Sequence, residues 1–212
     1  MGEPATHEIA ASMATDVIDL AFALAGDSLP LDHRFQLRDA VVSVLPWFSQ
    51  EAGAAIHPIK SSRSDEGLLL LSARTRLVLR VPRARCEAAL VLVGQVLNVA
   101  GTALMIGGAT QRALLGHGTV YAHLVCGDVD DETGFAARMK AQMDTQGIRG
   151  EVICGRRQTL GAGATLLRGF GVMVHGLAPE ASLRLQAEGA GCNMQLGCGI
   201  FVPHRSAAAV SA

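Results

Sequence analysis

The first strong hydrophobic pattern is Val17-Ile18-Asp19-Leu20-Ala21-Phe22-Ala23-Leu24, read as a strand that Gly26 ends. Leu29-Pro30-Leu31-Asp32 then turns the chain into a helix, with Asp32 as the expected N-cap. Leu37, Val41, Leu45 and Phe48 recur at near four-residue spacing and mark its buried stripe, which Pro46 kinks or ends. Residues 68–71 and 75–81 read as two more strands. Pro82 opens a second helix with Cys86, Leu90, Val93 and Leu97 on its apolar face, and residues 99–106 read as a fourth strand.

The second half repeats the order. Tyr121 to Cys126 is a strand, and Asp131 caps a helix that buries Phe135, Met139 and Met143 before Gly147 ends it. Glu151 to Cys154 and Leu166 to Val174 are strands. Pro179 starts a short helix, a glycine-rich stretch follows, and a strand from Ile200 closes the unit. Two β-α-β-β-α-β passes predict an α+β protein of two tandem ferredoxin-like modules, with a glycine-rich loop before the last strand. The expected domains are residues 15–115 and 119–205, with flexible tails at 1–14 and 206–212.

Composition narrows the function classes. Half of the 212 residues are apolar, enough for one large domain or two of about 100 residues. No apolar run approaches the roughly 20 residues of a membrane helix. The acidic start, with Glu3 and Glu8, does not look secretory, so a cytoplasmic protein is expected. The five cysteines are scattered without a C-x-x-C, which argues against a disulfide or zinc framework. Cys192, Cys198 and His204 are evenly spaced but lack a fourth ligand, so no metal is expected. A net charge of −1 argues against indiscriminate nucleic-acid binding, yet 16 of the 18 basic residues are arginine, the side chain best shaped for phosphate.

Three constellations could carry chemistry. Gly189, Gly191, Gly197 and Gly199 could let the backbone approach a phosphate, or simply make a turn. Arg74, Arg76 and Arg80 share parity on one strand, and Arg83 and Arg85 extend them. This reads as a basic stripe for a phosphate backbone, with an exposed amphipathic strand as the plain alternative. Arg156 and Arg157 either touch RNA or are solvated. With one Trp, one Tyr and six Phe, base stacking on a sheet is not the expected mode; reading shape and backbone is.

Several strings resemble the Cas6 endoribonucleases of CRISPR systems, members of the repeat-associated RNA-binding superfamily, in the short variant found with type I systems. They are Leu29-Pro30 with Asp32-His33, Leu45-Pro46-Trp47, Ile56-His57-Pro58-Ile59, Arg74-Thr75-Arg76-Leu77 with Leu79-Arg80, Gly147-Ile148, and Leu196-Gly197-Cys198-Gly199-Ile200-Phe201-Val202-Pro203. The resemblance implies metal-independent cleavage of CRISPR precursor RNA by the 2′-hydroxyl, leaving a 2′,3′-cyclic phosphate, without a cofactor. It implies His33, in the first turn of the first helix, as the catalytic imidazole. His57 is either its partner or a lock on the turn before Pro58. The implied partners are CRISPR repeat RNA and subunits of an effector complex, with no membrane and no small-molecule cofactor. Two other readings stay open: a non-catalytic RNA-binding subunit, and a regulatory domain that binds a metabolite.

Overall fold

The computed structural model describes residues 16–127, 131–162 and 165–204; the expected tails lie outside them. The first half runs β1 (Val17–Ala25), β2 (Ser28–Pro30), α1 (Arg34–Val44), β3 (Ala55–Ile56), β4 (Ser62–Arg63), β5 (Leu68–Leu70), β6 (Arg76–Pro82), a four-residue α2 (Cys86–Ala89), β7 (Val96–Val99) and β8 (Thr102–Ala113). Five strands form an antiparallel sheet in the order β3-β6-β1-β8-β7, while β2, β5 and β4 make a small sheet beside it. Ile18, Leu20, Phe22 and Leu24 of β1 and Leu77, Leu79 and Val81 of β6 face one core, as their alternation requires. Against them pack Leu37 and Val41 of α1, then Leu45 and Phe48 from the turn that Pro46 starts.

Three expected elements differ. Residues 68–71 do not join the main sheet; β5 pairs with β2 and β4, and the two-residue β3 takes the place beside β6. Nor does a helix continue to Leu97. It stops after short turns because Gly94 takes φ +83° and its N–H donates to the Ile106 carbonyl, which draws the chain into the sheet. The apolar positions beyond it belong to β7. The strand expected over 99–106 is a hairpin: Ala100 and Gly101, both at positive φ, make the two-residue turn between β7 and β8. Asp32 does not cap α1, whose N-cap is His33 without a side-chain cap bond.

The second half runs β9 (Thr119–Cys126), α3 (Glu132–Thr145), β10 (Glu151–Ala162), β11 (Thr165–His175), α4 (Pro179–Glu188) and β12 (Val202–Pro203). Its antiparallel sheet has the order β10-β11-β9-β12. Asp131 caps α3 by accepting the Gly134 N–H at 2.6 Å. Phe135, Met139 and Met143 then pack on Val120, Val172 and Phe201. A third cluster joins the halves. Leu124, Cys126, Leu160, Leu196 and Cys198 meet Phe35 of α1, so the far side of β9 and the glycine loop lie against the first helix.

Candidate active site

The turn into α1 fixes His33. Its ring Nδ1 lies 2.7 Å from the Pro30 carbonyl oxygen. A carbonyl can only accept, so Nδ1 carries the proton and Nε2 presents a lone pair when the ring is neutral. Burial pushes the imidazole below its ordinary range, the Pro30 bond opposes this, and the Arg34 charge adds to it. The neutral, proton-accepting form is therefore favoured. The residue is only 2% exposed, and Nε2 is buried without a hydrogen-bond partner. It borders a narrow cleft shared with Arg34, His57, Gln195 and Leu196, so the ring is sealed, but against a cationic wall.

The same cleft holds His57. His57 Nε2 donates to Asp19 Oδ1 at 3.2 Å, and Arg80 grips that carboxylate through Nε at 2.8 Å and Nη2 at 3.0 Å. Burial alone would raise the Asp19 pKa, but the bonds from His57 and Arg80 outweigh it and hold the carboxyl well below the usual range. Burial pushes His57 down, while Asp19 pulls the other way. His57 Nε2 is thus tied to a carboxylate of β1, and not to the turn before Pro58.

The expected arginine row is corrected here. Arg80 is fully buried, and its Nη1 also donates to the carbonyls of Gln186 at 2.6 Å and Phe201 at 3.1 Å. Strand parity does turn it away from Leu79 and Val81, but that face is covered by the second half and not by solvent. Asp19 sits directly opposite it in the β1–β6 register. Arg74 lies in the exposed turn before β6, and Arg76 is half-buried with Nη1 on the carbonyls of Ala73 and Thr75. Arg85 pairs with Glu51 at 2.5 Å and stands over the Trp47 ring, leaving Arg83 exposed beside it. Arg156 and Arg157 are exposed on β10 itself, at a bulge.

The glycine loop is also corrected. Its freedom serves close approach to the protein's own backbone. At Gly199, with φ +67°, an added Cβ would fall 1.9 Å from the Ala190 oxygen; at Gly191, with φ +71°, one would fall 2.8 Å from the Cys126 oxygen. The amides point inward: Gly189 donates to Leu185, Gly197 to Met194, and Gly199 to Leu124 of β9. These three donors are not offered to a phosphate. Gly191 remains at the surface, between two grooves.

What sequence reasoning missed is the charge beside His33. Arg34, the first residue of α1, donates from Nη1 to the Leu196 carbonyl at 3.2 Å, and it feels Cys198, Cys126 and Arg63. His123, exposed on β9, feels Arg34 and Arg63; burial first, then both charges, lower its pKa. Adjacency of Arg34 to His33 was a signal available in the chain. Nothing in the sequence pointed to Arg63 or His123, which arrive from separate strands.

Comparison with known proteins settles the family. A family model described as Cas6 Crispr matches residues 18–206. The chain belongs to the Cas6 family. A Cas6 relative, the CRISPR-associated endonuclease Cas6 of Myxococcus xanthus (strain DK1622), is 31% identical over 194 residues, covering 91% of this chain and 84% of the relative. Among solved structures, a CRISPR associated protein Cas6 superposes with a TM-score of 0.65 at 10% identity, covering 89% of this chain and all of that one. A Cas6-related protein from Pyrococcus furiosus gives 0.63 at 13% identity, covering 87% and 97%. These two share with this Cas6 chain an α+β fold of antiparallel sheets.

Proposed function

We propose that this Cas6 chain is the endoribonuclease that binds CRISPR repeat RNA and cuts the precursor transcript into guide RNAs, with no metal in the chemistry. The observation that carries the reading is the His33 ring: Nδ1 pinned by Pro30, Nε2 bare, and Arg34 beside it. Nε2 takes the proton from the 2′-hydroxyl next to the scissile phosphate. The freed oxygen attacks phosphorus, and the guanidinium of Arg34 balances the charge that builds on the phosphorane. The P–O5′ bond breaks, leaving a 2′,3′-cyclic phosphate and a 5′-hydroxyl that gains a proton. RNA reaches Nε2 through the cleft that Gln195 and Leu196 line, where a phosphate competes with the Leu196 carbonyl for Arg34.

Backbone contacts come from exposed arginines: Arg74 and Arg83 on the first half, and Arg156 and Arg157 on β10. The retained product would make the protein a candidate subunit of an effector complex. We read the halves, 15–115 and 119–205, as tandem ferredoxin-like modules. The equivalent strand orders β3-β6-β1-β8 and β10-β11-β9-β12, each with its first strand between the third and the last of its four, support that reading.

In the test, wild-type protein with repeat RNA in EDTA yields products ending in cyclic phosphate. His33→Ala loses about 10²–10⁴-fold in rate and keeps its RNA affinity. Cleavage by His33→Ala at the wild-type rate, or an EDTA-sensitive reaction, removes the mechanism. The 2% exposure of His33 is what favours the non-catalytic alternative, and binding without any product would establish it.

A further inference from the structure

Three thiols converge where the glycine loop lies on β9. Cys126, at the end of β9, is within side-chain hydrogen-bonding reach of Cys198, Cys192 and Asn193. Asn193 Nδ2 donates to Cys192 Sγ at 3.0 Å. The crossing is close because Gly191 has no side chain, so its backbone can rest on the Cys126 carbonyl. Among the described residues no three His, Cys, Asp or Glu side chains are arranged to hold a metal ion, so the chemistry available here is that of thiols.

The three cysteines are not equivalent. Cys198 is fully buried; the bond to Cys126 and then burial push its thiol far up, which keeps it an S–H donor. That S–H, more than any other group, lowers the Cys126 thiol, with further help from Cys192, Asn193 and Arg34 against the cost of burial. Cys126 borders a cavity of about 180 Å³ with Arg138, Gln142 and Gly191. Cys192 is exposed in the adjoining groove, on the other side of Gly191. Cys126 is itself buried, so a small oxidant would reach it through this cavity, and the accessible Cys192 sulfur stands next to it.

We propose that Cys126 and Cys192 are a peroxide-sensing pair whose disulfide staples the glycine loop to β9. The Cys126 thiolate attacks one oxygen of a hydroperoxide. The S–O bond forms as the O–O bond breaks, an alcohol or water leaves, and Cys126 becomes a sulfenic acid. The Cys192 thiolate then attacks that sulfur, forming S–S and expelling hydroxide, which leaves as water. Two thiols have lost two electrons and two protons, and the peroxide has accepted them. A dithiol reverses the change. Resting on the function proposed above, the consequence is control of cleavage: the stapled loop includes Gln195 and Leu196, which line the His33 cleft that RNA enters.

Full-length protein is treated with a small excess of tert-butyl hydroperoxide, blocked with iodoacetamide and mapped by mass spectrometry without reduction. The expected product is a Cys126–Cys192 linked peptide, lost on dithiothreitol treatment. Cys192→Ser instead accumulates a dimedone-reactive Cys126, and Cys198→Ala slows Cys126 oxidation about tenfold. A link to Cys198, or a Cys126 that oxidises no faster than Cys86 or Cys154, overturns the proposal. Repeat-RNA cleavage is then compared in the two states. Oxidised wild type falls at least tenfold and recovers with dithiothreitol, while Cys192→Ser is unaffected by the oxidant. Unchanged cleavage by the linked protein overturns the control. Reduced protein that never cuts overturns the nuclease reading and leaves the disulfide result standing.

Discussion

A single carbonyl oxygen decides what His33 can do. Because the Pro30 carbonyl accepts a hydrogen bond from Nδ1–H, Nε2 is the ring position left to take up a proton. Burial lowers its pKa from the ordinary 6.5, so the base form predominates at neutral pH and is lost as pH falls through that lowered value. Cleavage should rise with unit slope on the acid side, with its inflection below 6.5, and stay flat through neutrality. Single-turnover rates from pH 4.5 to 8 check this, and an inflection above 6.5 would exclude His33 as the base. That a histidine stands at the start of the first helix was legible; the role expected of it came from the resemblance. Its partner atom was not legible, since a histidine three residues after a proline can turn its ring either way.

Among the elements, legibility followed local chemistry. β1, α3 and α4 were readable because period, cap and proline agree within one segment. The second helix of the first half failed because apolar spacing over 86–97 suits a helix or a turn followed by a strand. A positive φ at Gly94, set by its bond to Ile106, chose the latter. The glycine loop was visible as a loop, but its purpose was inverted: it brings backbone to backbone. Two substitutions measure that. Gly101→Ala, in the open hairpin turn with nothing within 4 Å, should cost about 1 kcal/mol for its φ alone. Gly199→Ala adds a collision with the Ala190 carbonyl and should cost at least about 3 kcal/mol in urea unfolding. Equal costs would mean that the close packing at Gly199 contributes nothing.

On the scale of the whole molecule the two sheets are joined by a polar seam as well as an apolar one. Arg80 spans it from Asp19 to the Gln186 and Phe201 carbonyls, Arg34 reaches Leu196, and Gln195 Nε2 donates to the Phe48 carbonyl at 2.7 Å. Cutting the buried pair on one side leaves the Asp19 carboxylate with His57 as its side-chain partner and the Gln186 and Phe201 carbonyls without their guanidinium. Arg80→Met should therefore lose about 3–5 kcal/mol, whereas Arg83→Met, on the surface, should stay within about 0.5 kcal/mol. Urea midpoints with unchanged slopes are the readout. A mild Arg80→Met together with a weakened RNA affinity would restore the row of phosphate-binding arginines that the seam displaced.

Period and punctuation act between neighbours a few residues apart, so the chain alone specified its α+β class, the alternation of both halves, the glycine loop and the histidine at the first helix. Which face meets water, which carbonyl meets which guanidinium, and which sulfur meets which sulfur are contacts between residues far apart in the chain. Arg80 bonds Phe201 across 121 positions, and Arg34 bonds Leu196 across 162. Local pattern holds no information about such distances; only the docking of one sheet on the other creates them. For that reason the same parity that places an arginine on a strand face leaves open whether that face binds a nucleic acid or closes the protein.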